Sequence, residues 1–529
     1  MIQDLQFMPD LPEWGQRPHI RVIKGVEDGM GGGAYYRNKR WVAAKEQRPF
    51  FSFLESSVVA SGIDVVRAFV FKGAIGKGTI FVAGSDGSLY VAGPTKSGWN
   101  RVHDADENAL RWEVVLYGTR FYAINGGLDE PLYTIRIADV SDTTKNMEAI
   151  SASGYEIDST TVVDTPPPTG IKKIVIARNH LLAIYNDTRG AIVGWSQIDK
   201  PWEWMFGQNL ADEQVLTDNS LVLDLVASED AFVWTESEMY RLSYTGAPPV
   251  IWQVDKMASH RNLLATGAAV LIGHNIFYGT FDGFYVFNGH TETAVGSGMV
   301  DDALRACLDQ ANRNSIYSFV NPSESEVWMC YATGSPRPTA AFIYNYVENT
   351  WSHRNDIEGP YFEGYISPSE ITSAIFITLG EIASSRVTWG VFDPEITFGS
   401  RLFQPEIDST SGLIFSFNED NILSSSAGRS RDVELQTNWF ELKPNSGIRQ
   451  CVRSIRPFTD ALDFRATIEL SESPSVDNIF SIDVSKNEFS HTGSIHVFAS
   501  GRYARLKIKL RDWNYFQGLD MDIIPFGMR

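Results

Sequence analysis

The sequence predicts an all-β protein: a β-propeller of six to eight blades over residues 61–430, then a small C-terminal β-sandwich-like domain over residues 431–529. Residues 1–60 are interpreted as an extended N-terminal arm. Two observations carry this prediction. Short apolar runs alternate with polar turn clusters, which is the pattern of antiparallel strands joined by hairpins. Groups of such strands recur about every 40 to 50 residues, a spacing typical of propeller blades.

The strand pattern is clearest between Val222 and Gly289. Three apolar runs, at 222–227, 231–234 and 239–244, are separated by short polar clusters that suit tight turns. An amphipathic helix would need apolar residues at intervals of three and four over about a dozen residues, and these runs end sooner. We therefore expect a series of small antiparallel meanders here.

The same pattern extends in both directions along the chain. Further strands are predicted at 79–83, 88–92, 113–117, 120–124, 132–135, 173–176, 181–185, 191–195, 269–272, 276–278, 284–287, 327–331, 341–346, 374–378, 387–392 and 413–417. One helix is predicted from Met299 to Asn312, because apolar residues, among them Val300 and Leu304, fall on one face. No strict blade signature recurs, so two or three separate β-sandwiches stay open as the alternative.

The two ends of the chain differ from the middle. Residues 39–47 are compatible with a short helix inside an otherwise irregular arm. Residues 502–511 alternate cleanly: Leu506, Ile508 and Leu510 fall on one face and basic residues on the other. This alternation predicts a half-buried antiparallel strand. Its basic face is either a solvated edge protected by charge or a docking face for an acidic neighbour.

Charge and cysteine content exclude several classes of protein. The formal net charge is −20, and residues 61–430 carry 24 basic and 45 acidic residues. Affinity for nucleic acid comes from Lys and Arg, so this body should repel phosphate rather than bind it. Three widely spaced cysteines offer no disulfide framework, which fits a reducing compartment. No basic leader and no apolar run of about 18 residues is present, so we expect a soluble protein without a membrane span.

Motifs for chemistry are weak. Gly29–Ala34 matches a relaxed dinucleotide-binding fingerprint, but the strand that should precede it and the helix that should follow it are not predicted. Residues 76–79 only partly resemble a phosphate-binding loop. Residues 104–108 open like a calcium loop but lack its glycine and closing carboxylate. No paired histidines or nucleophile elbow occur. We therefore predict no catalytic, cofactor-binding or metal-binding residues and no enzymatic activity. The cluster Trp202–Trp204 either stacks on sugars or fills a seam between blades.

An ordered set of segments resembles a known family. It comprises 192–196, 201–204, 236–246, 281–289, the helix from Met299, 326–328, 344–351, 501–503 and 518–527. These segments are similar to those of the tail hub or nozzle proteins of short-tailed bacteriophages, also called tail accessory or DNA-stabilisation proteins. The resemblance covers roughly residues 170–529 and rests on diffuse motifs rather than on an invariant signature.

The resemblance implies a structural role in the virion tail, after assembly in the host cytoplasm. Such a protein forms a hexameric ring below the portal and adaptor, contacts tail fibre or spike proteins, extends the DNA ejection channel and helps retain packaged DNA. DNA would pass without sequence-specific contact, because an acidic wall repels phosphate. The alternative is a carbohydrate-binding or glycan-cleaving propeller acting on the host surface. A third class, a non-viral scaffold propeller, would be monomeric in solution.

Overall fold

A computed structural model describes most of residues 65–354 and 433–525, with short interruptions, and the strands at 5–6, 34–37, 40–43, 48–52, 362–366, 399–405 and 413–416. Within these residues, seven four-stranded antiparallel sheets form a β-propeller of seven blades. The predicted propeller is confirmed, and the alternative of separate sandwiches is wrong for this part of the chain. The predicted strands at 374–378 and 387–392 lie outside the described residues.

Each of the first six blades is one continuous meander of four strands. Blade 1 has Val65–Phe71, Thr79–Gly84, Leu89–Ala92 and Asn100–His103; blade 2 has Glu113–Tyr117, Arg120–Ile124, Leu132–Arg136 and Glu148–Ile150; blade 3 has Ile171–Ala177, His180–Asp187, Gly190–Trp195 and Asp212–Val215. Blade 4 has Val222–Ala227, Ala231–Thr235, Met239–Ala247 and Val250–Lys256; blade 5 has Ala269–Ile272, Asn275–Gly279, Phe284–Phe287 and Glu292–Ala294; blade 6 has Tyr317–Asn321, Glu326–Tyr331, Ala340–Asn345 and Thr350–Arg354. A two-stranded hairpin, Glu156–Asp158 with Thr161–Val162, connects blades 2 and 3.

Blade 7 is assembled from both ends of the propeller sequence. Its first three strands are Phe362–Ile366, Gly399–Pro405 and Leu413–Ser416, and its fourth is Arg48–Ser52, which precedes blade 1 in the chain. The first strand of blade 7 also contacts the first strand of blade 1. The ring is therefore closed by backbone hydrogen bonds within one sheet, which removes an open edge. Residues 48–52, assigned to the arm from the sequence, form part of the propeller.

The helix between blades 5 and 6 is shorter than predicted. Helix α1 spans Gly298–Cys307, and a separate 3₁₀ segment, Gln310–Ser315, follows it. The carboxylate of Asp309 accepts a hydrogen bond from the Ala311 amide at 3.0 Å, so it caps the second segment and competes with continuation of the first. Val300 and Leu304 are fully buried, as the predicted apolar face requires. A second 3₁₀ turn, Ile137–Asp139, lies in blade 2.

The C-terminal domain is a sandwich of two sheets around one core. One sheet contains Val433–Gln436, Phe440–Glu441, Asp463–Ser471, Phe480–Ser485 and Tyr503–Arg511; the other contains Leu5–Gln6, Ala34–Arg37, Arg40–Ala43, Gln450–Thr459, Ile495–Gly501 and Tyr515–Pro525. Leu506, Ile508 and Leu510 are buried in this core, which confirms the predicted half-buried strand.

The N-terminal segment is not helical at 40–43, where a short helix was predicted. Arg40–Ala43 is a strand whose backbone pairs with Tyr515 and Phe516 of the sandwich. Pairing with an existing sheet edge satisfies the backbone groups of a segment too short to be stable as an isolated helix. The N-terminal strands therefore serve both domains, the sandwich through 34–43 and the propeller through 48–52.

Candidate functional site

The first strands of successive blades bring five charged residues together. Arg67, Glu113, Lys173 and Asp224 lie on the first strands of blades 1 to 4, and Arg111 lies two residues before the strand of blade 2. The first strands of blades 2 to 6 contact one another in succession and so surround the propeller axis. We call these five residues the axial ion network.

Glu113 joins blades 1 and 2. Its two carboxylate oxygens face the two terminal nitrogens of Arg67, at 2.7 Å for Nη1–Oε1 and 3.0 Å for Nη2–Oε2. Oε1 also accepts a hydrogen bond from Nε of Arg111 at 3.2 Å. The Glu113 side chain is only 8% exposed. One buried carboxylate is thus shared by two guanidinium groups, an arrangement in which charge-assisted bonds are strong.

Asp224 joins blades 3 and 4. The Lys173 ammonium lies 2.6 Å from its Oδ1, and the carboxylate is completely buried. The backbone amides of Leu225 and Gly267 donate to Oδ1 and Oδ2 at 2.9 and 2.8 Å. Three donors, one of them an ammonium group, therefore compensate for the burial of this carboxylate. The bond to Gly267 extends the connection to the loop that enters blade 5.

Arg111 reaches across the interior of the propeller. Its Nη1 donates to the carbonyl oxygens of Asn314 and Ile316 at 2.8 and 2.7 Å, in the segment that enters blade 6. Its Nη2 lies against Gly267, where a Cβ atom would be 2.0 Å away. Gly267 has φ +84°, a left-handed conformation that favours glycine. The guanidinium therefore ties the segment entering blade 2 to the segments entering blades 5 and 6.

Burial and neighbouring charges together shift the pKa values of Glu113 and Arg111. Burial alone would raise the pKa of Glu113, but the positive charges of Arg67, Lys173 and Arg111 outweigh it and lower the pKa to about 2. Burial and the charge of Arg67 lower the pKa of Arg111 to about 10, although Glu113 and Asp224 act in the opposite direction. The carboxylate is held in its charged form, so the network acts as a set of fixed ion pairs rather than as proton donors and acceptors.

A cavity of about 210 Å³ opens beside the network. It is lined by Arg67 and Arg111, by the turn at 84–87, and by Asn312 and Ser315. Nη2 of Arg111 is buried and therefore not accessible from the cavity. Among the described residues, this atom has no hydrogen-bond partner. The arrangement therefore joins neighbouring blades mechanically.

The basic face of the C-terminal strand is partly neutralised within its own sheet. Arg505 pairs with Oε2 of Glu469, and Lys507 approaches Oε1 at 2.7 Å. The Arg505 guanidinium also lies over the ring of Trp439, 4.9 Å from its centroid. Lys509 and Arg511 are exposed. The strand Tyr503–Arg511 is not an edge strand, because Val433–Gln436 pairs with it on one side and Asp463–Ser471 on the other. The edge interpretation is therefore wrong, and the basic residues form either a solvated face or a docking face of an interior strand.

The other sequence candidates have structural roles or lie elsewhere. Trp204 is fully buried between blades 2 and 3 and donates from Nε1 to the Pro201 carbonyl at 2.8 Å, so it fills a seam. Asp106, in the partial calcium-loop motif, accepts hydrogen bonds from Asn108 and Asn125. The loops at 29–33 and 76–78 lie outside the described residues. Among the residues that are described, no cluster of three metal-ligating side chains occurs, and no helix is long and apolar enough to cross a membrane.

Reasoning from the sequence missed the axial ion network, although a signal for it exists. Each of these first strands carries a charged residue where its neighbours are mostly apolar, as in VVRAFVF, IKKIVIA and VLDLVA. A charge in an apolar strand needs a buried partner. The same feature in successive repeats points to partners in adjacent blades.

No protein-family model and no curated protein matches the sequence. Solved structures with a similar fold include the WD40 domain of Toxoplasma gondii coronin, with a TM-score of 0.34, 12% identity, and coverage of 75% of this chain and 90% of that one. YCF48 from Cyanidioschyzon merolae has a TM-score of 0.34, 10% identity, and coverage of 71% and 99%. PorZ of Porphyromonas gingivalis has a TM-score of 0.34 and 10% identity, and the match covers 82% of this chain and 46% of PorZ. These likenesses are too distant to carry a functional argument.

Proposed function

We propose that this chain is a structural component of a phage tail: a ring-forming hub or nozzle protein below the portal and adaptor. There it extends the DNA ejection channel and helps retain packaged DNA. The proposal rests on the resemblance of the segments between residues 170 and 529. The observation that carries it is the concentration of negative charge in residues 61–430, with 45 acidic against 24 basic residues.

A stiff subunit supports this role. The strand at 48–52 closes blade 7, and the axial ion network links the entry segments of blades 1 to 6. Strands at 34–37 and 40–43 belong to the sandwich sheet, so one short segment is anchored in both domains. A closed ring of subunits requires a repeated interface angle, and a subunit that keeps its shape provides one.

The position of Arg111 bears on where DNA would pass. Among the residues that the structure describes, its guanidinium reaches across the interior of the propeller to the carbonyl of Ile316. In the proposed hexamer, the channel lies between six copies. Acidic surfaces facing that channel would repel the phosphate backbone, so the duplex would slide without sequence-specific contact.

Imaging of intact particles tests the proposal. The chain should occupy a six-fold ring in the tail, below the portal and adaptor, and quantitative mass spectrometry should give six copies per particle. A chain found in the capsid, or in fibres remote from the channel, contradicts the proposal. A basic bore in the assembled ring would leave the location intact but refute the sliding mechanism.

In the tryptophan cluster that suggested the glycan-binding alternative, Trp202 is only partly buried. Trp204 lies in the core and offers no face for a sugar. Incubation of the purified chain with host surface glycans, followed by analysis for bound or released sugars, separates the two functions. Saturable binding or fragment release would favour the glycan alternative.

A further inference from the structure

A second polar cavity lies on blade 2, at the other end of the sheet from the axial ion network. Its volume is about 340 Å³. The start of the strand Arg120–Ile124, the end of the strand Leu132–Arg136 and the hairpin at 156–157 form its walls. Lys145 also lines it. Neither the axial network nor the proposed tail function uses this cavity.

Two arginines meet in its wall. Arg120 and Arg136 are direct partners across an antiparallel strand pair. Side chains at such positions lie close together, and like charges placed there destabilise a sheet. Arg120 is also only 8% exposed. A sheet that brings two guanidinium groups together and buries one of them requires a compensating negative group.

The observed partners of these arginines are neutral oxygens. Nη1 of Arg120 donates to Oγ1 of Thr134 at 3.3 Å, and its Nη2 donates to the carbonyl of Ile157. Nη2 of Arg136 donates to the same carbonyl at 3.0 Å. Within the described part of the chain, neither guanidinium has a carboxylate at ion-pairing distance. A neutral oxygen compensates a buried cation less well than an anion does.

Carboxylates do lie in the cavity, but they are directed to other groups. Glu148 accepts a hydrogen bond from the Tyr155 hydroxyl. Asp139 and Glu156 line the wall without pairing with either arginine. The lining thus carries three cationic and three acidic side chains, and its two guanidinium groups meet where Arg120 pairs with Arg136.

We propose that this cavity binds a small oxyanion, a phosphate or carboxylate group held by Arg120 and Arg136. The guanidinium N–H groups not used by Thr134 and Ile157 would donate to its oxygens, the fork geometry that suits both anions. Lys145 adds a third positive charge. The inference is independent of the tail function, because it rests only on blade 2.

Titration with inorganic phosphate and, separately, with succinate tests this site. The full-length chain is studied by calorimetry at constant ionic strength, and ³¹P line broadening provides a second readout for phosphate. Arg136→Gln is the main variant because Arg136 is exposed and its loss should leave the fold intact. Arg120→Gln is the second variant. Arg101→Gln, an exposed arginine of blade 1 with the same change in charge, is the control.

The wild type should bind at least one of the two anions saturably, and the anion that binds identifies the ligand group as phosphate or carboxylate. Arg136→Gln and Arg120→Gln should each weaken binding by at least about tenfold, the loss expected for one hydrogen bond to a charged group. Arg101→Gln should bind as the wild type does. Absence of saturable binding to both anions, or binding that survives both cavity variants, overturns the proposal. The first result would mean that Glu156 or Asp139 neutralises the arginines in solution.

Discussion

Nη1 of Arg111 donates a hydrogen bond to the carbonyl oxygen of Ile316 at 2.7 Å, across 205 residues of sequence. The bond joins the loop entering blade 2 to the segment entering blade 6. A contact of this range forms only when blades 2 and 6 have assembled into one propeller, so Arg111 should affect the stability of the propeller rather than that of a single blade.

Replacement of Arg111 by Met tests this role. The change removes the bonds to Asn314 and Ile316 and one of the two guanidinium partners of Glu113. Loss of one partner of a buried ion pair costs about 3–5 kcal/mol, so urea should unfold the variant propeller at a clearly lower concentration. Arg101→Met, at an exposed ion pair, should change stability by no more than about 0.5 kcal/mol. Equal effects of the two substitutions would argue against a buried tie.

Gly267 and Gly273 provide a matched pair for the close approach of Arg111. Both have positive φ, so alanine at either position costs about 1–2 kcal/mol of backbone strain. Only at Gly267 would the new Cβ meet other atoms, Nη2 of Arg111 at 2.0 Å and the Ile316 carbonyl at 2.8 Å, whereas Gly273 has open space. Gly267→Ala should therefore lose a further 1–3 kcal/mol or so in denaturant unfolding. Similar losses at the two glycines would contradict the packing around the axis.

Glu113 predicts a particular dependence of stability on pH. Its pKa is lowered from 4.5 to about 2 by folding, so the folded state favours the carboxylate. The associated stability is fully present above pH 4.5 and is lost as the pH falls towards 2. The slope of unfolding free energy against pH over this window should be smaller in Glu113→Gln than in the wild type. Glu107→Gln, at an exposed position with the same charge change, is the control; a slope unchanged in Glu113→Gln would refute the prediction.

Leu506 tests the half-buried strand of the sandwich. Its side chain is fully buried, whereas Lys509 on the same strand is exposed. Leu506→Ala should reduce the unfolding free energy of the sandwich by about 2–5 kcal/mol, and Lys509→Ala should change it by less than about 0.5. Thermal unfolding followed by tryptophan fluorescence measures both. A large loss at Lys509 would instead reveal an intramolecular docking contact for the basic end.

Deletion of residues 1–52 tests the closure of the propeller. It removes the strand Arg48–Ser52 and leaves the backbone of Leu413–Ser416 without its partner in blade 7. An exposed strand edge favours association and local opening, so limited proteolysis should be faster and aggregation greater than in the full chain. Deletion of residues 1–43 removes the same sandwich strands but keeps Arg48–Ser52, so it is the control. Equal protease resistance of the two truncated chains would mean that the ring does not depend on this strand.

Local patterns in the sequence were sufficient for most of the strands and for the propeller itself. The runs at 222–227 and 231–234 are strands of blade 4. The short length of these apolar runs, the turn residues between them and the burial of their side chains all favour strands. The helix from Met299 was predicted too long, because apolar spacing continues past Cys307 while Asp309 starts a new capped segment. Apolar spacing alone does not detect such a competing cap.

Contacts between distant segments were not accessible to the same reasoning. Residues 40–43 became a strand only because a sandwich strand near the C-terminus offers them a partner. Arg67 stands out in an apolar strand, but the sequence does not identify its partner in the next blade. The two arginines of the blade 2 cavity resemble ordinary surface charges until the fold pairs them. Pairing across hundreds of residues depends on topology, which strand periodicity does not specify.

The shared use of the N-terminal strands sets the order in which this polypeptide can mature on the ribosome. Arg48–Ser52 emerges early but waits for Leu413–Ser416, and Arg40–Ala43 waits for Tyr515–Pro525. Throughout that delay the nascent chain carries unsatisfied strand edges, the surfaces that chaperones bind and that associate wrongly. Synthesis of Leu413–Ser416 therefore permits closure of the propeller, and synthesis of Tyr515–Pro525 permits completion of the sandwich. Products that terminate before these strands should be cleared instead of accumulating as folded fragments.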